Sequence, residues 1–362
     1  MKTTLFPVLP KFLQPALRVL PLTALLAACG GGGSDGPPAT PQTPPTPDTD
    51  RPITEMPVSS YTGDKLEAFM RLNQARLAAG VSAVEQNAQL DAAAQAHATY
   101  QVRNYRVGHG EDPGKPWFTG VDHRARARAQ GYSGTTVVEV ISYARPGVDA
   151  IESLLQSVYH LHGVLEPRAN QIGIGSDSTS TPAPLSSTSI TMGTSGRGLL
   201  TLGSVWHWPV DGQADVNPIF YPANESPNPA PDLESAGTPI MFCGAEGDFA
   251  PLRVIGVALQ ERESGASIPA RLLVNERVQA EAGSNIDIVV DPNLALSSVY
   301  QGCVFLLPTT ELQFGKTYQV SVHAEQAGKD ISTDWRFETR SANPALRDGA
   351  KPLPRELVAA GG

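Results

Sequence analysis

Apolar residues recur at helical spacing in two stretches early in the chain. Over residues 64–79, Leu66, Phe69, Met70, Asn73 and Leu77 share one face, and Gly80 supplies the stop. Over residues 87–104, Leu90, Ala93, Ala94, His97 and either Tyr100 or Gln101 form a second such face. A loop rich in glycine, proline and aromatics follows at 108–120, then a short helix before Gly131. Residues 135–143 read as a strand and 148–159 as a third long helix. Further strands are expected at 171–175, 189–193 and 199–208, with an exposed hairpin loop over 176–188. Together these predict one mixed α+β unit over residues 61–208.

Beyond a proline-rich linker at 209–236 the pattern changes to strands alone, at 238–243, 252–261, 271–274, 286–290, 300–307, 317–324 and 333–339. Short strands separated by turn residues predict an all-β, immunoglobulin-like sandwich over 237–341, with a loose tail at 342–362. The stretch Gly315-Lys316-Thr317-Tyr318-Gln319-Val320 followed by Trp335-Arg336-Phe337-Glu338-Thr339 resembles bacterial Ig-like domains.

The first 28 residues hold Lys2, Lys11 and Arg18, no acid, an apolar stretch from Val19 to Ala28, and small residues before Cys29. That is the layout of a secretory signal. The apolar stretch, about ten residues long and interrupted by Pro21, falls short of the roughly 20 that span a bilayer. Leu26-Ala27-Ala28-Cys29 resembles the lipobox of bacterial lipoproteins. The resemblance implies cleavage before Cys29, lipid on that cysteine, and an exported protein anchored to the cell envelope. Gly30 after the cysteine favours the outer membrane over the inner. Residues 29–60, rich in Gly, Pro, Thr and Asp, are expected to be a disordered tether.

Composition narrows the partners. The net charge is −9, and the basic residues beyond the signal form no block larger than the Arg124, Arg126, Arg128 series. No nucleic-acid partner is therefore expected, and attachment to the membrane falls to the lipid on Cys29. There are 3 cysteines. With Cys29 lipidated, Cys243 and Cys303 remain, and an even remainder in an exported protein favours one disulfide between them.

No zinc-protease H-E-x-x-H, nucleophile elbow or Walker loop is present, and Gly173-Ile174-Gly175 lacks the third glycine of a dinucleotide fingerprint. What remains is a scatter of histidines and acids. His109 opens the polar loop Gly108-His109-Gly110-Glu111-Asp112. Glu139 shares a strand face with Val137 and Ile141, where an unpaired carboxylate is costly to bury. His160 and His162 lie near the end of the third helix. Imidazoles and carboxylates from separate elements can bind a transition metal or exchange protons.

The order of residues resembles the CAP (or SCP) superfamily of cysteine-rich secretory, antigen 5 and pathogenesis-related proteins, in its bacterial branch. The matching pieces begin with Leu72-Asn73-x-x-Arg76-x-x-x-Gly80 and Leu90-x-x-x-Ala94-Gln95-Ala96-His97-Ala98. Asn104-Tyr105, Gly108-His109, Phe118-Thr119-Gly120 and Arg128-Ala129-Gln130-Gly131-Tyr132 follow. Val138-Glu139, Ser157-Val158-Tyr159-His160, Leu165-x-Pro167 and Ile172-Gly173-Ile174-Gly175 complete the set. The resemblance implies an α-β-α sandwich with a groove carrying two histidines and two acids. These fall on His109, His160 and Glu139, with Glu111 or Asp112 as the second acid. In some members the histidines hold a divalent metal such as Zn2+, here at His109 and His160.

Two positions depart from the family pattern, Val140 and Gly163, where Asn is frequent. Helical periodicity places Ile151, Leu155, Val158 and His162 on one face and so selects His162 as inward, whereas the flanking Ser157 and Leu165-x-Pro167 select His160. His97, on an alanine-lined face, reads as a hydrogen-bonded core histidine. Three functions follow as expectations. The first is a groove binding a lipid, a metal or an envelope ligand. The second is a hydrolase of peptides or envelope polymers using His109, Glu139 and His160. The third is a structural or adhesive lipoprotein.

Overall fold

The computed structural model describes residues 51–196, 205–296 and 298–342. The signal segment, Cys29, the tether up to residue 50 and the tail beyond residue 342 lie outside the described residues. From residue 51 the chain is already docked: Ile53 donates its N–H to Ser82 Oγ (2.8 Å) and accepts from the Ala83 amide (3.0 Å). The last ten residues of the expected tether therefore belong to the folded part.

The first unit runs α1 (Gly63–Ala78), β1 (Glu85–Gln86), α2 (Ala88–Asn104), α3 (His123–Ala129), β2 (Val137–Ser142), α4 (Val148–Leu155), α5 (Tyr159–Val164), β3 (Gln171–Thr179) and β4 (Leu185–Gly193). The strands form one sheet in the order β1-β3-β4-β2, with β1 parallel to β3 and the other pairs antiparallel. Side chains alternate across this sheet. Val137 packs with Leu90, Ala93 and Ala127 of α2 and α3, whereas Val140, Ile172 and Ile190 pack with α1, α4 and α5. The result is the expected α-β-α sandwich.

Local chemistry explains the layering. Asn87 caps α2 by accepting the amides of Gln89 and Leu90. Gly173 and Gly175 let that helix lie directly on β3: a Cβ at either would stand 2.0 and 2.2 Å from the backbone carbons of Leu90 and Ala94. Asp91 then accepts the Ile174 amide at 2.9 Å. Arg76, fully buried on α1, donates to the carbonyls of Ser82, Val164, Glu166 and Ala169, so α1 holds the chain that leaves α5.

The remaining strands are β5 (Val205–Trp208), β6 (Gln213–Val216), β7 (Ile240–Gly244), β8 (Arg253–Glu261), β9 (Ala270–Val274), β10 (Gln279–Ala280), β11 (Ile286–Val290), β12 (Cys303–Pro308), β13 (Thr317–Gln326), β14 (Lys329–Asp330) and β15 (Thr333–Thr339). One sheet is ordered β10-β8-β13-β15-β6, with β14 on β13, and the other β11-β9-β12-β7-β5. Val254, Leu259, Val320, Trp335 and Phe337 of the first meet Ile240, Phe242, Leu272 and Val304 of the second in one core, a β-sandwich. Cys243 and Cys303 stand opposite each other on β7 and β12 and are joined by a disulfide within a single sheet.

Two further boundaries differ from the sequence reading. Val205–Trp208, expected to close the first unit, pairs instead with β7 at the edge of the sandwich. The proline-rich stretch is packed: β6 joins β15, Phe220 bridges to Ala236, and Ala230 and Ala236 are fully buried. Proline removed regular elements from this segment without loosening it.

The two halves share a core. β7 and β12 are buried along their whole length, because one face meets the other sheet and the opposite face meets the first unit. That is why they read as unbroken apolar runs, whereas β13 and β15 alternate. Polar contacts cross the same boundary: Tyr159 donates to Asp291 at 2.5 Å, and the His162 ring lies 4.3 Å from Tyr300.

His162 sets an acid limit on this junction. Burial pushes its pKa down to about 4, only partly opposed by Glu166, and its Nε2 has no hydrogen-bond partner among the described residues. The unfolded chain therefore takes up a proton at higher pH than the folded one. Stability is full above about pH 6.5 and falls as pH drops from there towards 4, by on the order of 3 kcal/mol from this group. Denaturant titrations across that window should show the loss, and His162→Leu should remove most of the slope. An unchanged slope would place the acid sensitivity elsewhere.

Candidate functional site

β2 directs Glu139 onto the sheet face that α2 and α3 cover. Its side chain is fully buried, so every oxygen needs a donor. Arg126 of α3 gives Nη2–H to both oxygens at 2.8 and 2.9 Å, Ser189 adds a hydroxyl at 3.3 Å, and His109 donates from Nδ1 at 3.0 Å. Burial works against the charge, but the His109 bond and the nearby His97 and Arg126 outweigh it and pull the pKa to about 2. Glu139 is thus an ionised acceptor, and the proton between it and His109 sits on the imidazole.

Arg126 was not singled out by sequence reasoning, yet a signal for it exists. In the run Arg124-Ala125-Arg126-Ala127-Arg128 the outer arginines fall on one side of a helix and the middle one on the other. Arg124 and Arg128 are exposed, and Arg126 is buried against the sheet.

The two candidates for the second acid part company. Glu111 is buried and bonded to His97 Nδ1 (2.9 Å), the Thr119 amide (2.6 Å) and the Gly120 amide (3.2 Å). Burial opposes its charge, but the His97 bond, the Thr119 amide and Arg126 hold its pKa below the ordinary carboxylate value. Asp112 lies at the surface on Arg106, 3.1 Å away. His97 is the hydrogen-bonded core histidine the sequence implied. Its Nδ1 faces Glu111 and its Nε2 faces the Gly108 carbonyl at 3.1 Å, both acceptors.

The acid beside the second histidine comes from outside the sandwich of helices and sheet. Glu225, in the proline-rich stretch, accepts from the amides of Val158 (2.8 Å), Tyr159 (2.7 Å) and His160 (3.1 Å), and from His160 Nδ1 at 3.0 Å. A carboxylate at the first amides of α5 satisfies donors that have no partner inside the helix. The expected third long helix is in fact α4 and α5, broken at residues 156–158. The break resolves the conflict between the two histidines: His160 turns to the cleft, and His162, inward as periodicity required, is buried against Tyr300.

His109 and His160 face each other with ring centres 6.5 Å apart, at the edge of a cleft of about 640 Å³. Its walls come from the first unit, including Tyr143 and Ser153, and from the packed stretch, including Phe220, Tyr221 and Glu225. The structure therefore brings His109, Glu139 and His160 together, places Glu111 on His97 and Asp112 on Arg106, and sets Glu225, which the sequence did not suggest, beside the second imidazole.

The two departures from the family pattern touch each other. A Cβ on Gly163 would stand 2.4 Å from Val140 Cγ1. Valine is stiff at χ1 and has little room to retreat, so the glycine is the complement of the valine. Gly163→Asn should cost about 1–3 kcal/mol. Adding Val140→Asn should recover much of it in denaturant titrations, and strictly additive costs would show that the two positions are independent.

Residues 69–182 match the profile of CAP, the cysteine-rich secretory protein family. Among solved structures, the chain is similar to an outer surface protein from Borrelia burgdorferi, at 14% identity over 37% of this chain and 93% of that one, with a TM-score of 0.31. It is also similar to an extracellular protein containing a SCP domain from Bacillus anthracis str. Ames, at 17% identity over 38% of this chain and 45% of that one, with a TM-score of 0.31. No curated protein matches the chain. Residues 69–182 are therefore a CAP domain of the cysteine-rich secretory protein family, here in a chain whose second half is an all-β sandwich.

Proposed function

We propose that this is an exported binding protein, held at a membrane by lipid on Cys29, whose cleft captures a ligand of the cell envelope. One observation carries the reading. Two imidazoles from different elements face each other at 6.5 Å, and each has its Nδ1 on a buried carboxylate. That leaves Nε2 of His109 and of His160 without a hydrogen-bond partner among the described residues. A carboxylate behind Nδ1 fixes the tautomer and raises the basicity of Nε2, the arrangement found behind metal-ligating histidines. The donor set thus fits a divalent metal such as Zn2+ in kind. Among the described residues no group of three or more His, Cys, Asp or Glu is arranged to hold an ion, so the remaining positions would belong to the ligand or to water. When bound, such a metal supplies Lewis-acid attraction for a ligand oxygen. The chain itself orients both imidazoles and places them at the edge of the cleft.

Two measurements test the reading. Cys29→Ala should release the protein from the membrane fraction, and retention there would remove the anchor. In the purified full chain, zinc titration should show uptake that His109→Ala or His160→Ala abolishes, with Glu225→Gln weakening it by roughly 10–100-fold. Equal zinc content in wild type and both alanine variants would overturn the metal. Turnover of an envelope polymer that disappears in Glu139→Gln would favour the hydrolase instead.

A further inference from the structure

The lining of the cleft selects a ligand class. Among the described residues it contains no lysine or arginine, so a phosphate or polyanionic headgroup would find no fixed cation there and would face the carboxylate of Glu225. An acyl chain is also a poor fit, because it would strip water from the amides of Gln156, Asn217 and Asn224 without replacing their hydrogen bonds. What remains is a surface that combines aromatic faces, a few aliphatic side chains and neutral hydrogen-bonding groups.

Two tyrosines in this lining keep much of their surface free: Tyr143, 39% exposed, from the CAP domain, and Tyr221, 49% exposed, from the packed stretch. Tyr143 is held in place. Its oxygen accepts from the Gly108 amide at 2.6 Å and from Gln101 Nε2 at 2.9 Å, which leaves its own O–H to donate elsewhere. Asn217 gives Nδ2–H to Gln156 at 2.8 Å, and its Oδ1, buried in the wall, has no hydrogen-bond partner among the described residues. Tyr143 thus offers the cleft a free donor, while the Asn217 oxygen is sealed within its wall.

We infer that this cleft binds a neutral saccharide chain. A pyranose ring presents C–H bonds, positive at hydrogen, to the negative face of an aromatic ring, and hydroxyls at its rim to amides and carboxylates. Both kinds of surface are present here, on walls built by two parts of the chain. The volume, about 640 Å³, lies within the range of pockets that enclose a small-molecule ligand and leaves room for several rings. The inference rests on reading the cleft as a ligand site, but not on a metal.

The test is calorimetric titration of the full chain, in a detergent without sugar, with tetra-N-acetylchitotetraose, cellotetraose and maltotetraose. Palmitate and inorganic phosphate serve as comparators. At least one tetrasaccharide should bind. Tyr221→Ala and Asn224→Ala should each weaken it tenfold or more with zinc uptake and thermal midpoint unchanged, and Tyr143→Phe should weaken it through the lost donor. The inference is overturned if no tetrasaccharide binds, if palmitate or phosphate binds in its place, or if the three variants bind like wild type. Zinc uptake that depends on His109 and His160, together with no saccharide binding, would leave the proposed function standing and remove this inference alone.

Discussion

A carboxylate buried away from water must be surrounded by donors, and Glu225 finds all of its donors on an element 65 or more residues away. Three amides at the start of α5 and the Nδ1 of His160 converge on it. The contact does two things at once. It supplies hydrogen bonds to helix amides that have no intrahelical partner, and it fixes the second imidazole of the cleft. It also ties the stretch that leads into the β-sandwich to the CAP domain, next to the Tyr159–Asp291 bond and the His162–Tyr300 contact. The cleft is therefore a product of both halves of the chain. Removing the second half would take away one wall and leave α5 without the anion at its N-terminus.

Beneath the first imidazole lies a second constraint of the same kind. The side chains of His97, Glu111, Arg126 and Glu139 are all buried, and each is bonded to at least one of the others. Arg126 lies between the two carboxylates and His97 is bonded to one of them, so no member lacks a partner. Breaking one partner of such a cluster leaves an uncompensated charge, typically at a cost of about 3–5 kcal/mol. The cluster thus forms a rigid floor that holds His109 by a single bond to Glu139 while its ring remains partly exposed. One imidazole is positioned by a charge network inside the CAP domain, and the other by a carboxylate from outside it.

Much of this was legible in the sequence, for reasons that differ element by element. Helices α1 and α2 announced themselves by a single apolar face each, whereas Gly173-Ile174-Gly175, legible only as an incomplete fingerprint and a family piece, gave no sign that α2 lies directly on it. The continuous apolar strands β7 and β12 were recognisable as strands, but their local pattern could not say what covered the second face. For the same reason Val205–Trp208 was assigned to the wrong sheet: a strand carries its own periodicity but not the identity of its neighbour. Proline content in the stretch after Trp208 correctly foretold few regular elements and gave no hint of its packing. His109, Glu139 and His160 were found because their order along the chain resembles a family pattern. Periodicity selected His162 as inward, and it is buried, but it could not place His160, because the chain breaks at 156–158. Glu225 carried no local signal, since its donors are remote and it sits in no periodic element.

The dependence of the cleft on Glu225 can be read from the backbone without knowledge of the ligand. Hydrogen exchange on the full-length Glu225→Ala variant would report the amides of Val158, Tyr159 and His160 individually. The account predicts that these amides lose protection while those in the interiors of β12 and β13 keep theirs, because the change removes an acceptor at one helix end and leaves the sandwich core intact. Unchanged protection at the three amides would contradict it and show that α5 is held in place without its partner carboxylate.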